Sequence, residues 1–197
     1  MARPPDPGLE DRILHAADVL WKRGGERALT MRAVAQAAKT NTPAVYRRFK
    51  NRQDLLRGLL LRIAARMGEQ FQRGVTIEEM AETYVDSALR APHEYQLFYS
   101  HAQALSPKKS GGVRPIRETR PNFAFLEQLL AHQLGGGPED YAELALGVWA
   151  TLHGTTMLLL SNAVPAGHEE ALREACRAAV RKLIAESSGQ TSGQRGR

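Results

Sequence analysis

The chain of 197 residues contains one cysteine, Cys176, so no disulfide can form within it and a four-thiolate zinc site is excluded. Such cysteine usage suits a reducing, cytoplasmic setting. Long apolar runs are missing as well. The richest stretch, Val148 to Leu160, is interrupted by Thr151, His153, Thr155 and Thr156, so no membrane span is expected, and the start, MARPPDPGLEDR, lacks the apolar segment of a signal peptide. No segment alternates apolar and polar residues over a useful length, which removes β-strands, and no internal repeat points to a solenoid. Catalytic signatures are absent too: there is no glycine-rich phosphate loop after a strand and no nucleophile elbow, and His93-Glu94 has no second histidine where a zinc-protease helix needs one. His93, His101 and His132 lack carboxylate or thiolate spacing around them, so neither a metal nor a cofactor is expected. The acidic stretch Glu78, Glu79, Glu82 and Asp86 reads as a solvated helix face. The chain is therefore not expected to be an enzyme.

What remains is a helical protein with an uneven charge. Apolar residues make up 43% of the chain, enough to bury a core in one compact domain with a small one appended. Of the net charge of +6, residues 1–74 carry 15 Lys and Arg against 7 Asp and Glu, leaving 12 against 14 for residues 75–197. One lobe is thus built to approach a polyanion and the other is not.

Apolar spacing of three and four predicts an all-α fold of about nine helices. The first runs from Leu9 to Arg23. Two short ones follow, and a fourth, capped by Asn51, presents Leu55, Leu56, Leu59, Leu60, Ile63, Met67 and Phe71 to about Arg73. Thr76 with Glu79 forms a capping box for a fifth, to Arg90, and Pro92 opens a sixth, to about Leu105. Residues 106–121, rich in Pro, Gly and cations, read mostly as a loop. A seventh helix reaches Leu134 and stops at Gly135-Gly136-Gly137; the eighth spans Pro138 to Asn162 and the ninth Gly167 to Glu186. The last residues, 188–197, read as a disordered tail.

The most informative block is Thr30 to Phe49, TMRAVAQAAKTNTPAVYRRF. Thr30 can cap a short helix whose Val34, Ala35 and Ala38 form a small apolar stripe, and Lys39-Thr40 interrupts it. Asn41 caps a second helix with Pro43 in its first turn, where a missing N–H costs nothing. Val45 and Phe49 share one face and can dock into a core. A helix of this kind enters a major groove N-terminal end first, which places Thr42, Pro43 and Ala44 nearest the base edges. Arg47 is the better placed guanine reader, with Arg48 facing the backbone, although rotation about the helix axis leaves the two open.

These residues resemble the tetracycline-repressor (TetR) family of bacterial transcription regulators. The resemblance is carried by Ile13, Ala16, Ala17, Leu20 and Trp21 of an entry helix, the Gly24-Gly25 break, Leu29-Thr30-Met31, Val34-Ala35, Tyr46-Arg47-Arg48-Phe49 and Leu55-Leu56. Where the family usually has Gly-Val-Ser in the turn this chain has Lys39-Thr40-Asn41, and lysine there is strained if its φ is positive. Trp149 to Gly154 is similar to the Trp-x-x-x-His-Gly signature of one subgroup of regulatory lobes. The resemblance implies a DNA-binding domain over residues 8–68 and a ligand-binding and dimerisation domain over 69–187. It implies a phosphate or sugar contact from Tyr46, and phosphate contacts from Thr30 and Arg32 and from Lys50 or Arg52; Lys39 is a further phosphate candidate, and Asn41 lies at the same surface. It also implies an effector pocket, for which Met67, Phe71, Tyr84, Tyr95, Phe98, Tyr99, Phe123, Trp149, His153 and Met157 are candidates. The eighth and ninth helices, with Ala142, Ala145, Leu146 and Ala150 on one and Ala171, Ala175, Ala178 and Ala179 on the other, are the expected homodimer face. The expected function is a homodimeric repressor released from a palindromic operator by a hydrophobic or aromatic small molecule; the alternative is a helix-turn-helix protein with no small-molecule effector.

Overall fold

The computed structural model describes residues 6–72, 76–102 and 115–194. Among these residues there are ten α-helices, one 3-10 turn and no strand. The chain divides into two compact units, Met1–Ala65 with His93–Lys109 and Arg66–Pro92 with Ser110–Arg197. A single boundary near residue 68 was the expectation. The difference lies in residues 93–102, which join the N-terminal unit through contacts that no local pattern announces.

The first unit is built from α1 (Leu9–Ala28), α2 (Met31–Ala37), α3 (Thr42–Arg48), the first part of α4 (Arg52–Phe71) and most of α6 (Pro92–His101). Each short helix starts on a side-chain cap. Thr30 Oγ1 accepts from the Ala33 amide at 3.1 Å, Asn41 Oδ1 from Ala44 at 2.9 Å, and Asn51 Oδ1 from Asp54 at 2.9 Å. Helix α1 does not end at Arg23. It kinks at Gly24-Gly25, where Gly25 adopts φ 60°, and resumes to Ala28.

Packing then closes the bundle. Ile13, Ala17, Val34, Val45, Leu55 and Leu59 are wholly buried, and each large side chain among them contributes roughly 1.5–3 kcal/mol relative to exposure. Gly58 lets α4 come close: a Cβ there would lie 2.9 Å from Phe49 Cε1 and 3.1 Å from Leu14 Cδ2. Helix α6 is held on α1 by Lys22, whose Nζ lies 3.2 Å from buried Asp18 and 2.6 Å from Glu94, and by the edge of Trp21 against His101 at 5.9 Å.

The second unit contains α5 (Ile77–Arg90), α7 (Ile116–Thr119), α8 (Pro121–Leu134), a 3-10 turn (Pro138–Tyr141), α9 (Ala142–Leu160) and α10 (Glu169–Gln194). The capping box at Thr76 and Glu79 is present. Helix α9 packs against α5, α8 and α10. The acidic face of α5 is not simply solvated, because Glu82 and Asp86 pair with Arg173 of α10 at 3.0 and 2.6 Å and Glu82 also pairs with Arg177 at 3.0 Å. The carboxylates raise the pKa of both arginines, and Arg173 and Arg177 remain cationic throughout any accessible pH range.

Two expectations need revision. Residues 106–114 of the expected loop lie outside the described residues, and 116–119 form a helical turn. Helix α10 runs to Gln194 through most of the expected tail, since extending an anchored helix adds one hydrogen bond per residue without a new nucleus. Pro138–Leu160 has the length and composition needed to cross a membrane, with an 18-residue window of mean hydropathy 1.2, but one such helix does not indicate a membrane protein, since the core helix of a globular protein meets the same measure. Only 28% of that window is buried within the chain.

Candidate nucleic-acid interface

Helix α3 turns Val45 inward and Pro43, Tyr46, Arg47 and Arg48 outward, with Thr42 half-buried and Tyr46 51% exposed. Exposed Thr30 and Arg32 lie at the start of α2, Lys39 and Asn41 in the turn, and Lys50 just beyond α3. The side chains of Arg32, Lys39, Arg47 and Lys50 form no ion pair with a described residue, so their charge is available to an outside anion. Cations with no ion pair among the described residues, set around an exposed tyrosine, suit a phosphate backbone.

The turn is a Schellman closure. The Thr40 amide donates to Ala35 O at 2.9 Å and the Lys39 amide to Gln36 O at 3.1 Å, which requires a left-handed residue at position 39. Lys39 supplies it at φ 52°, so the strain foreseen for a lysine in this turn is present.

One expected contact residue leaves the surface and another is engaged within the fold. Ala44 is 3% exposed and lies with Val45 on the buried side of α3. Arg52 is committed elsewhere: its Nε donates to Leu29 O at 2.8 Å, and its Nη2 donates to Glu26 O at 2.9 Å and to the Glu26 carboxylate at 3.1 Å. Its guanidinium therefore clips the kinked end of α1 to the start of α2, and Lys50 is the remaining cation there. Asn41 spends its side-chain oxygen on the cap, and Arg48 donates to Asp6 O at 3.3 Å.

The ten candidate effector residues separate. Tyr95, Phe98 and Tyr99 belong to the N-terminal unit and pack on one another, with ring centroids 4.6 Å apart for Tyr95 and Tyr99 and 5.2 Å for Phe98 and Tyr99. The other unit holds two groups. Phe71 stacks on Tyr84 at 5.6 Å, and Phe123 meets Trp149 at 5.9 Å, with His153 6.4 Å beyond. Burial holds His153 below the ordinary imidazole pKa and therefore neutral at pH 7. Met67 is half-buried, while Met157 is exposed on α9 and joins neither group. On the expected dimer face Ala145 is wholly buried within the unit, whereas Leu146, Ala150, Ala171, Ala175 and Ala178 are exposed and Ala142 and Ala179 half-buried.

Sequence reasoning missed the Arg52 clip and the Lys22 clamp, whose partners are distant in the chain. It also passed over Glu127, a carboxylate inside the apolar run from Phe123 to Leu130, which is 1% exposed. That interruption was the available signal.

Two short capped helices presenting an exposed cationic second helix define a helix-turn-helix DNA-binding protein. The family model described as bacterial regulatory proteins, tetR family, matches residues 13–59, and the model described as tetracyclin repressor-like, C-terminal domain, matches residues 77–183. The second match includes the Trp149 to Gly154 motif and covers more than half of the chain. The chain belongs to the TetR family of DNA-binding transcription regulators.

Solved structures share the fold at low identity. A TetR-family transcriptional regulator from Streptomyces coelicolor is 22% identical, with TM-score 0.62, over 90% of this chain and 98% of its own. The multidrug binding protein EbrR, solved with imidazole, is 21% identical, with TM-score 0.66, over 93% and 94%. A TetR variant from Acinetobacter baumannii AYE, solved with minocycline, is 19% identical, with TM-score 0.57, over 92% and 96%. No curated protein matches the chain in sequence.

Proposed function

We propose that the protein is a homodimeric repressor that holds a near-palindromic operator and releases it when a small apolar or aromatic molecule enters its C-terminal unit. The reading rests on the exposed face of α3, where Arg47 has no ion-pair partner among the described residues and Tyr46 stands in solvent. Thr42, Pro43 and Arg47 read bases; Thr30, Arg32, Lys39, Asn41, Tyr46, Arg48 and Lys50 hold the backbone. A single recognition helix spans only one half-site, so a twofold partner is required.

The partner surface is the outer face of α9 with α10. Leu146, Ala150, Gly154, Met157 and Leu158 make an apolar stripe at helical spacing, with Leu146 39%, Met157 41% and Leu158 45% exposed. Exposed Ala171, Ala175 and Ala178 on α10 allow close approach of a second copy. A second copy accounts for the unburied apolar surface of α9, and the small residues favour helix packing over lipid. Release by a small molecule is supported by the aromatic groups of the C-terminal unit and by the ligands that the similar EbrR and TetR structures hold.

A mobility-shift titration on duplexes from the gene's own upstream region tests the reading. Tight binding to one near-palindrome and weak binding to its scramble are expected, with affinity falling steeply as salt rises, by a log–log slope of about −0.9 per phosphate neutralised. Equal affinity for scrambled duplex would refute it.

A further inference from the structure

Glu127 lies in the middle of α8, 1% exposed, one turn beyond Phe123 on the same face. A buried carboxylate is tolerated only if a cation and hydrogen bonds meet it. Its one described counter-ion is Arg117, whose Nη2 donates to Oε1 at 3.2 Å and whose Nε lies 3.1 Å from Oε2. The second approach is an ion pair without a hydrogen bond, and Oε2 is left buried with no hydrogen-bond donor among the described residues.

The two partners are unequally fixed. Glu127 is anchored in a fourteen-residue helix, whereas Arg117 is 30% exposed on the four-residue α7, which has no side-chain cap. Arg117 is also shared with Glu139, 3.8 Å from its Nη1. Single helical turns open readily, so Glu127 is fixed in place and the group that meets it is replaceable.

What adjoins Glu127 along α8 is aromatic. The Phe123 ring meets Trp149 edge to face, and His153 follows on α9. The neutral state that burial imposes on His153 adds no repulsion toward a cation. We infer that Glu127 is the recognition residue for an organic cation, an amine or quaternary onium with an aromatic body, whose charge takes the place of Arg117 and whose rings lie against Phe123 and Trp149. An onium beside a buried carboxylate and π-faces gains charge pairing and cation–π attraction together. Arg117 is then an internal competitor that sets the affinity. The inference rests on the effector-gated reading and narrows its ligand from any apolar molecule to a cationic one.

Tetraphenylphosphonium and benzyltrimethylammonium, with tetraphenylborate as the anion of matched shape, provide the test by calorimetry and tryptophan quenching on the full chain. At least one cation should bind about tenfold or more tighter than the borate, and Glu127→Gln should remove about that preference. Arg117→Gln should tighten cation binding several-fold, roughly the release of one competing pair. A purely structural ion pair predicts the reverse for Arg117→Gln, with weaker binding. No cation binding, equal cation and anion binding, or weakening by Arg117→Gln would each overturn the inference; should Glu127→Gln fail to fold by circular dichroism, the Arg117→Gln arm decides. Operator release is read separately. A cation that binds through Glu127 without releasing DNA sinks the gating and spares this site, while a neutral compound that releases operator equally from wild type and Glu127→Gln does the opposite.

Discussion

At the residue scale, two positively charged side chains near α3 illustrate how differently a cation can be used. Arg47 faces solvent with no ion-pair partner among the described residues, while Arg52 donates to two carbonyls and a carboxylate at the kinked end of α1. Arg47→Ala should leave the melting temperature unchanged and weaken specific operator binding by about 1–3 kcal/mol, read by mobility shift. Arg52→Ala should do the reverse first: thermal melts should show a loss of about 1–3 kcal/mol, because Leu29 O loses a charge-assisted donor. Lys39 is the third case. Its left-handed backbone closes the α2 end at a cost glycine would not bear, so Lys39→Gly should raise stability by about 1 kcal/mol in a denaturant titration. The same variant removes an exposed cation, so its operator affinity should fall and show a shallower salt dependence.

Among elements, α5 and α10 are joined by an arginine ladder rather than by apolar packing alone. Arg173 reaches Glu82 and Asp86, and Arg177 reaches Glu82, Glu170 and Glu174. The carboxylates are well exposed, so solvent screening keeps each pair modest. Arg173→Met should lower stability by about 1 kcal/mol in dilute buffer, and the difference should shrink in 1 M salt, where the Debye length is about 3 Å. Unfolding titrations at both salt concentrations check this. A loss that persists undiminished in high salt would mean that Arg173 acts through its packed stem. The ladder was half-visible beforehand. Glu78, Glu79, Glu82 and Asp86 mark one acidic face, and Arg173, Arg177 and Arg181 recur at the four-residue spacing of another helix, but nothing in either segment says that the two faces meet.

For the whole molecule, the charge partition and the unburied stripe on α9 serve different partners in the proposed reading. The cationic N-terminal unit is suited to DNA, and the apolar face of α9 is proposed to meet a second copy of the chain. Leu158→Glu places a carboxylate in that stripe at a residue 45% exposed in the single chain, so folding should survive while association fails. Sedimentation should then show a monomer at micromolar concentration, and operator affinity should drop with the loss of the second half-site contact. A dimer that persists in this variant would move the interface elsewhere.

The sequence by itself determined the helix-turn-helix, because its signals are local: Thr30, Asn41 and Asn51 each cap an amide three residues on, and Val45 and Phe49 are related by one helical turn. It also determined the family and the all-helical fold, through apolar spacing and short motifs that act within a dozen residues. Only the tertiary structure decided that Ala44 is buried, that Arg52 serves the fold, that residues 93–102 join the N-terminal unit and that Glu127 is enclosed with Arg117. Burial and pairing depend on which distant segments pack together, and Arg52 meets Glu26 across 26 residues of chain, beyond the reach of any periodicity.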